Sequence, residues 1–207
     1  MNVEKLVVGQ LATNCYLVYD EYSKECLIID PGEDADFIER KIFDLKLKPE
    51  MIVVTHGHFD HVLGVTELRL AYGIPFLMHE ADLFLLKRTV QTAKHFLKID
   101  VLPLLPPDQF LKDGDFLTVG SVKLKVMETP GHTPGSVSLM RQKSQKGQKG
   151  QIFCGDLLFA DGMVGRTDFA YSSRTDLEKS LKKISRSSGG GAIIYPGHGE
   201  DFESPSN

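Results

Sequence analysis

Three histidines and an aspartate fall within six residues, and no other feature constrains the fold of this chain as strongly. Their segment reads Thr55-His56-Gly57-His58-Phe59-Asp60-His61. An apolar run at Met51–Val54 predicts a buried strand before it, and apolar residues at helical spacing from Val62 predict a helix after it. The segment is therefore predicted to be a strand-end loop in which Gly57 lets alternate side chains converge. Imidazole and carboxylate groups are ligands of Zn²⁺, Fe²⁺ and Mn²⁺.

Three further loops carry one ligand-type residue each, and each follows a predicted strand. His132 lies in the segment Thr129-Pro130-Gly131-His132-Thr133-Pro134-Gly135, whose prolines and glycines fix the backbone. Asp156 follows Cys154-Gly155, and His198 lies in Tyr195-Pro196-Gly197-His198-Gly199. Each residue alone would serve equally well as a cap of a turn or a helix. Four such loops together predict a metal cluster assembled from distant parts of the chain.

The apolar pattern predicts an α/β fold. Three alternating runs at residues 5–9, 14–19 and 25–29 predict a meander of strands. Helices are predicted around Ile38, where apolar residues recur at helical spacing, and around Leu181. Further strands are predicted at 75–78, 122–128, 136–140, 151–154 and 192–195. The absence of a Pro/Ser-rich linker favours a single domain over residues 1–207, with two packed sheets and helices outside.

Composition excludes several classes of protein. The chain has 207 residues and a net charge of −4, so nucleic-acid binding, which depends on neutralising phosphates, is not expected. No apolar run reaches the roughly 18 residues of a membrane span, and the charged start Met1–Lys5 is unlike a signal peptide. A cytoplasmic protein with no membrane partner is therefore expected. The stretch Arg141–Gln151, with four positive charges and no apolar residue, predicts a solvated hairpin tip.

The three cysteines and the two remaining histidines lie outside the predicted set of metal ligands. Cys15, Cys26 and Cys154 are odd in number and lie in strand-like contexts, which predicts reduced, buried thiols. Cys154 would either line the site or simply fill a buried strand position. His79 is expected to cap the next helix, and His95 has no evident partner in the sequence.

The loops that carry these residues resemble those of the metallo-β-lactamase superfamily. The resemblance covers nearly the whole chain and rests on Asp30-Pro31-Gly32, the Thr55–His61 loop, His132, Asp156 and His198. It implies a four-layer αββα sandwich of two mixed sheets with helices outside. It also implies two divalent metal ions, the first held by His56, His58 and His132, the second by Asp60, His61 and His198, with Asp156 bridging them. Zinc is the expected metal, and the same ligands accept iron or manganese.

Two more residues each have two interpretations. Asp30 resembles an aspartate that orients metal ligands in this superfamily, and it would equally suit a turn before Pro31. Arg166 lies in Gly165-Arg166-Thr167-Asp168-Phe169, after a glycine-containing loop. It would either hold a substrate carboxylate near the metal site or pair with Asp168 and fix the loop.

Within the superfamily the chain is most similar to the glyoxalase II-like hydrolases, through Gly155–Phe159 and Gly165–Phe169. This similarity implies a binuclear hydrolase whose metal-bound hydroxide attacks a small-molecule thioester, with a glutathione-derived thioester as one candidate. Asp156 would act through both metals, and Asp60 would carry a proton to the leaving thiolate. Because Asp156 stands where class B β-lactamases use cysteine, β-lactams are not expected to be turned over. The sequence ends nine residues after His198, so no helical domain completing a glutathione pocket is expected.

A different reaction class stays open at this point. A mononuclear iron persulfide dioxygenase, acting on glutathione persulfide, would use His56, His132 and Asp156 and shares the Gly-Arg-Thr-Asp-Phe segment. The segment Pro196-Gly197-His198-Gly199 favours the hydrolases, because the dioxygenase branch has alanine before this histidine and Asp-Tyr after it. A non-enzymatic, flavodiiron-like or scaffolding protein is less consistent with a chain that has no fused flavin domain.

Overall fold

The first half of the chain forms a mixed sheet of six strands. The computed structural model describes residues 1–141, 149–188 and 190–205. In order across the sheet, the strands are β1 (Asn2–Val8), β2 (Thr13–Tyr19), β3 (Glu25–Ile29), β4 (Lys48–Val53), β5 (Phe76–Met78) and β6 (Gln109–Phe110). The first three pair antiparallel, which confirms the predicted meander, and β3 to β6 pair parallel.

The second half forms a second six-stranded sheet. Its strands are β7 (Phe116–Val119), β8 (Val122–Glu128), β9 (Val137–Arg141), β10 (Gln151–Gly155), β11 (Ile193–Pro196) and β12 (Phe202–Glu203). They lie in the order β12-β11-β10-β9-β8-β7, with β10 and β11 parallel and the other pairs antiparallel. Residues 142–148 of the predicted hairpin tip lie outside the described residues.

The helices follow the parallel strands. They are α1 (Ala35–Asp44), α2 (Val65–Tyr72), α3 (Leu83–Leu86), α4 (Thr89–Phe96) and α5 (Arg174–Ser188). The helix predicted from Val62 begins at Val65, because a 3-10 turn at Phe59–His61 comes first and the Val62 amide donates to the Phe59 carbonyl. The helix expected after His79 is a 3-10 turn, Glu80–Asp82, that continues into the short α3, and α4 was not predicted. Among the described residues, no helix combines the length and the apolar character that crossing a membrane requires.

Buried side chains fill three layers of contact. Between the sheets, Tyr16 of β2 packs edge-on against Phe153 of β10, with ring centroids 5.3 Å apart. The outer face of the first sheet packs on α1 and α2, and that of the second sheet packs on α5 through Leu177. The predicted αββα sandwich is therefore confirmed. All three cysteines are free and buried, as predicted.

Asp20 directly follows β2 of the first sheet, and its carboxylate binds the turn between β7 and β8 of the second sheet. One carboxylate oxygen accepts from the backbone amides of Tyr22 (2.7 Å) and Ser23 (3.0 Å). The other accepts from the amide of Ser121 (2.9 Å) and from its hydroxyl. The Ser121 hydroxyl and these amides hold the pKa of Asp20 well below its usual value.

Asp20→Asn is expected to lower the melting temperature at pH 7, because its amide NH₂ would face donors instead of accepting from them. The folded-state pKa of Asp20 is depressed, so its contribution is complete above the unfolded pKa of about 4 and is lost as the pH falls further. The difference in melting temperature between the two proteins, measured from pH 7 to pH 2, should therefore be constant above about pH 5 and narrow progressively below about pH 4. A constant difference across this range would contradict the assignment.

Candidate metal centre

The four predicted loops meet at one edge of the sandwich. They follow β4, β8, β10 and β11, whose ends lie at the edge where the two sheets face each other. The structure brings together all seven side chains that the sequence singled out as metal ligands: His56, His58, Asp60, His61, His132, Asp156 and His198. His61 is fully buried, His56 is 2% exposed and His132 is 5% exposed.

His56, His58 and His132 form the first triad. The Nδ1 atom of His58 lies 3.0 Å from Nε2 of His56 and 3.0 Å from Nε2 of His132. Two of these rings come from the loop after β4 in the first sheet, and the third comes from the loop after β8 in the second sheet. The first triad therefore spans both sheets.

Asp60, His61 and His198 form the second triad. Nε2 of His198 lies 3.3 Å from Nε2 of His61 and 3.3 Å from Oδ2 of Asp60. Asp60 and His61 belong to the 3-10 turn Phe59–His61, and both side chains are buried. The loop after β11 that carries His198 is held by Asn14, whose side-chain amide donates to the carbonyls of Pro196 (3.0 Å) and Gly199 (2.9 Å).

The carboxylate of Asp156 lies between the two triads. Its Oδ2 is 3.6 Å from Nε2 of His132, and its Oδ1 is 3.5 Å from Nε2 of His61 and 3.7 Å from Nε2 of His198. Oδ1 is buried and has no hydrogen-bond partner. A buried carboxylate oxygen without a partner is costly, and a cation at the second triad would remove that cost.

The five histidines of the triads present one nitrogen inward and bond the other outward. Nδ1 of His132 meets the Arg166 carbonyl at 2.9 Å, and Nδ1 of His198 meets the Leu11 carbonyl at 3.1 Å. Because a carbonyl accepts only, each of these outward nitrogens holds the proton and the inward nitrogen carries a lone pair. His56 and His58 bond outward to the hydroxyls of Thr55 and Tyr171.

This donor arrangement fits divalent metal ions. In the first triad, inward lone pairs 3.0 Å apart repel each other unless a cation lies among them. Three imidazoles in one triad, and two imidazoles with a carboxylate in the other, are ligand sets that Zn²⁺, Fe²⁺ and Mn²⁺ accept. The His/Asp cluster is therefore suited to a pair of divalent ions, and it does not choose among these metals.

Asp30 contacts the second triad from outside. Its Oδ2 lies 3.1 Å from Nδ1 of His61 and accepts from the Thr55 hydroxyl at 2.7 Å, while Oδ1 accepts from the Thr55 amide at 2.6 Å. Asp30 is 1% exposed and adopts a left-handed backbone conformation with φ of 50°. It thus occupies a turn, as one interpretation expected, and also contacts a ligand-type histidine, as the other expected.

Charge differs between the two triads. Burial and the neighbouring His132 lower the pKa of His58 to about 3, and burial with neighbouring histidines lowers that of His56 well below its usual value. Burial also opposes charge on His61, but the carboxylates of Asp60, Asp30 and Asp156 outweigh it and raise the pKa to about 10. His56 and His58 are therefore neutral at pH 7, whereas a cation that binds the second triad must displace the proton of His61.

Asp82 joins the two loops of the first triad, and sequence analysis missed it. Its Oδ2 accepts from the Gly57 amide (2.8 Å) and the Thr133 hydroxyl (2.7 Å), and its Oδ1 accepts from the Gly135 amide (2.7 Å). A Cβ atom on Gly135 would lie 2.7 Å from this carboxylate, so glycine is required there. Asp82 is fully buried, and burial raises its pKa against the effect of these three donors.

Gly197 makes the closest approach in the second triad. A Cβ atom there would lie 2.2 Å from Oδ1 of Asp156 and 2.8 Å from Cε1 of His61. The glycine before His198 in the Pro-Gly-His segment is thus needed because the chain passes directly over the ligand atoms.

Three other residues noted in the sequence lie outside the cluster. His79 caps the 3-10 turn Glu80–Asp82 by accepting from the Ala81 amide at 3.2 Å, as predicted. His95 lies edge-on to Phe96. Cys154 is buried in the core between the second sheet and α5.

Tyr171 is the outward partner of His58, with 2.8 Å between its hydroxyl and Nε2. We expect Tyr171→Phe to weaken metal binding at the first triad by roughly 10-fold, because loss of an outer partner frees the ring to rotate. Competition with a chromophoric chelator measures this affinity. Phe84→Leu, which removes an aromatic contact of Tyr171 but no hydrogen bond to His58, serves as the control. Equal affinities of Tyr171→Phe and wild type would contradict the expectation.

A cavity of about 520 Å³ opens over both triads. Its floor includes His58, Asp60, His132, Asp156 and His198, and Arg166 lies at its wall. The Arg166 guanidinium makes two bonds to the Asp168 carboxylate, at 3.0 and 2.7 Å. The structure therefore shows the Arg166–Asp168 ion pair that a role in fixing the loop requires. It also places Arg166 at the cavity, as a role in binding a substrate carboxylate requires.

An αββα sandwich with histidines and aspartates at its strand ends is typical of metal-dependent hydrolases. Known proteins with similar sequences belong to the same class. Residues 8–198 match the family model of the metallo-beta-lactamase superfamily, so the chain belongs to this superfamily. Hydroxyacylglutathione hydrolase GloC of Haemophilus influenzae is 32% identical over 200 residues, which cover 96% of this chain and 91% of that protein. An uncharacterized protein of Aquifex aeolicus is 37% identical over 198 residues, covering 96% and 90%.

Solved structures show the same fold. The structure of BLEG-1 B3 metallo-beta-lactamase has a TM-score of 0.85 at 30% identity, covering 98% of this chain and 94% of that one. TTHA1623 in a di-iron-bound form has a TM-score of 0.84 at 31% identity, covering 97% and 94%. One of these neighbours is named a β-lactamase and the other is described only as di-iron-bound, and a shared fold alone does not choose a substrate.

Proposed function

We propose that this protein hydrolyses small-molecule thioesters with two divalent metal ions, zinc being the expected metal and iron or manganese acceptable. The observation that carries the proposal is the carboxylate of Asp156, which presents one oxygen to each triad. Support comes from the relative named hydroxyacylglutathione hydrolase and from the di-iron-bound neighbour. The expected setting is the cytoplasm, with neither a nucleic acid nor a membrane as partner.

In this proposal His56, His58 and His132 hold one ion, and Asp60, His61 and His198 hold the other. When bound, the ions supply an acidified water as nucleophile and positive charge to stabilise the oxyanion of the tetrahedral intermediate. Asp30 orients His61, and Tyr171 orients His58. Asp60 lies on the cavity floor, where its carboxylate can carry a proton toward the leaving sulfur, although a thiolate also leaves without one.

Arg166→Ala is expected to raise KM for an anionic thioester about 10-fold while kcat changes little and a neutral thioester is unaffected. A contact to a remote carboxylate is made equally in the ground state and the transition state, so its loss appears in KM. Steady-state kinetics on S-lactoylglutathione and on a neutral lactoyl thioester measure the difference. Equal losses on both substrates, or a lower melting temperature with unchanged KM, would show that Arg166 acts only through its pair with Asp168.

The function itself is tested on one purified preparation. Elemental analysis close to two metals per chain, with hydrolysis of a thioester and no turnover of β-lactams, is the expected result. The β-lactam assay is informative because a neighbour with the same fold bears the name of a β-lactamase. One iron per chain and oxygen consumption with glutathione persulfide would overturn the proposal in favour of the dioxygenase.

A further inference from the structure

The cavity over the triads has an apolar wall. Phe59 stacks on Phe96 of α4, with ring centroids 5.6 Å apart and planes within 4°. Phe169 stacks on Tyr171, with centroids 5.2 Å apart. Leu85 also lines this space. Two stacked aromatic pairs thus border the cavity above a polar floor.

Part of this apolar wall is exposed. Phe96 is 61% exposed, and Leu11, at the same cavity, is 44% exposed. A ligand arm that covered these side chains would remove apolar surface from water, which is favourable only if the arm is itself apolar. Exposed aromatic side chains grouped at a cavity are typical of binding sites.

Lysine and arginine side chains around the site are scarce. Arg166 is the single lysine or arginine among the described residues that line the cavity. It is already paired with Asp168, and its guanidinium lies over the Phe169 ring, 4.7 Å from the centroid. A second space of about 420 Å³ also reaches His198, and the charged groups in its described lining other than His198 are Asp161 and Glu200. Away from the metal ions on the floor, the walls of both spaces therefore favour uncharged arms over anionic ones.

We propose that the preferred substrate carries an uncharged apolar or aromatic arm, as an aryl or branched-chain acyl thioester does, rather than the charged peptide arm of glutathione. This inference rests on the proposed thioester hydrolysis. Glutathione would bring two carboxylates and one ammonium group to a wall that offers one shared cation, and charges that lose water without a partner are costly. Water is the co-reactant: the carbonyl carbon–sulfur bond breaks, a carbon–oxygen bond forms, and the products are a carboxylic acid and a thiol.

Two substrate series test the preference on the metal-loaded full chain. The first keeps a lactoyl group and changes the thiol from glutathione to N-acetylcysteamine and to benzyl mercaptan. The second keeps N-acetylcysteamine and changes the acyl group from lactoyl to isovaleryl and to phenylacetyl. We expect kcat/KM to rise at least about 10-fold toward the apolar arm in one of the two series.

Three variants link the preference to the wall. Phe96→Ala is expected to raise KM about 10-fold for the preferred apolar thioester and to change that for S-lactoylglutathione less than 2-fold, on the order of what truncating a pocket side chain costs. Thr92→Lys, which adds a cation on the same face of α4, is expected to improve kcat/KM for S-lactoylglutathione several-fold. Phe43→Ala, an 82% exposed phenylalanine of α1 outside this cavity, should change neither.

The outcomes separate the two proposals. If the glutathione thioester has the highest kcat/KM and neither series favours an apolar arm, the inference about the arm is overturned while thioester hydrolysis stands. If none of the thioesters is hydrolysed by protein that contains two metals per chain, the proposed function is overturned, and the inference with it. Equal effects of Phe96→Ala on apolar and glutathione thioesters would also overturn the assignment of the wall.

Discussion

Asp156→Ala is expected to lower kcat for thioester hydrolysis by more than about 10³-fold, beyond the effect of losing one oxyanion-stabilising group. The reason is geometric, because Asp156 lies within 3.7 Å of ligand-type nitrogens in both triads. The same variant should lose more metal than His58→Ala or His198→Ala, each of which alters one triad. Elemental analysis and activity measured on the same samples give both quantities.

The matched control for this substitution is Asp36→Ala. Asp36 is an exposed aspartate of α1 whose carboxylate pairs with Arg40, away from the cluster. It should retain wild-type activity and metal. An Asp156→Ala protein that keeps close to two metals per chain would sink the binuclear proposal, because no bridging ligand would then be needed.

Asp82→Ala is expected to reduce the free energy of unfolding by about 3 kcal/mol or more and to reduce metal content at the first triad. The substitution leaves two buried donors, the amides of Gly57 and Gly135, without an acceptor, at about 1–3 kcal/mol each. The loops that carry His58 and His132 would then lose their shared anchor. Urea unfolding and elemental analysis measure the two effects.

Asp20→Asn is the control that separates these two effects. Asp20 also accepts several hydrogen bonds, but it does so at the β7–β8 turn and touches no ligand loop. It should lose stability and keep its metal. If Asp82→Ala is destabilised yet binds metal as tightly as Asp20→Asn does, Asp82 is not a positioning residue for the first triad.

The ligand cluster was predictable because each part of it is local in sequence. His56, His58, Asp60 and His61 share one loop, and a loop after an apolar run is placed at a strand end by the strand itself. His132, Asp156 and His198 follow strands in the same way. Their convergence then requires only that the strand ends lie at one edge, which the predicted sandwich supplied.

The partners of the ligands were not predictable in the same way. Asp82 lies three residues after His79, whose predicted capping role already accounts for a polar segment at this position. Its contacts with Gly57 and Gly135 join residues far apart in sequence, so no local pattern indicates them. Tyr171 reaches His58 across 113 positions of sequence. Strands β6 and β12 have two residues each and are defined by backbone pairing with a neighbouring strand. Two residues are too few to show the alternating apolar pattern that predicts a strand.

Each triad draws two side chains from the first sheet and one from the second, and Asp156 adds another from the second. An ion bound at either triad would therefore be a cross-link between the amino-terminal and carboxy-terminal halves of the chain. Binding to the folded state alone at a free metal concentration 1,000 times Kd adds about 4 kcal/mol to stability. Metal supply would then govern how long the chain survives proteolysis in a cell as well as how fast it turns over substrate.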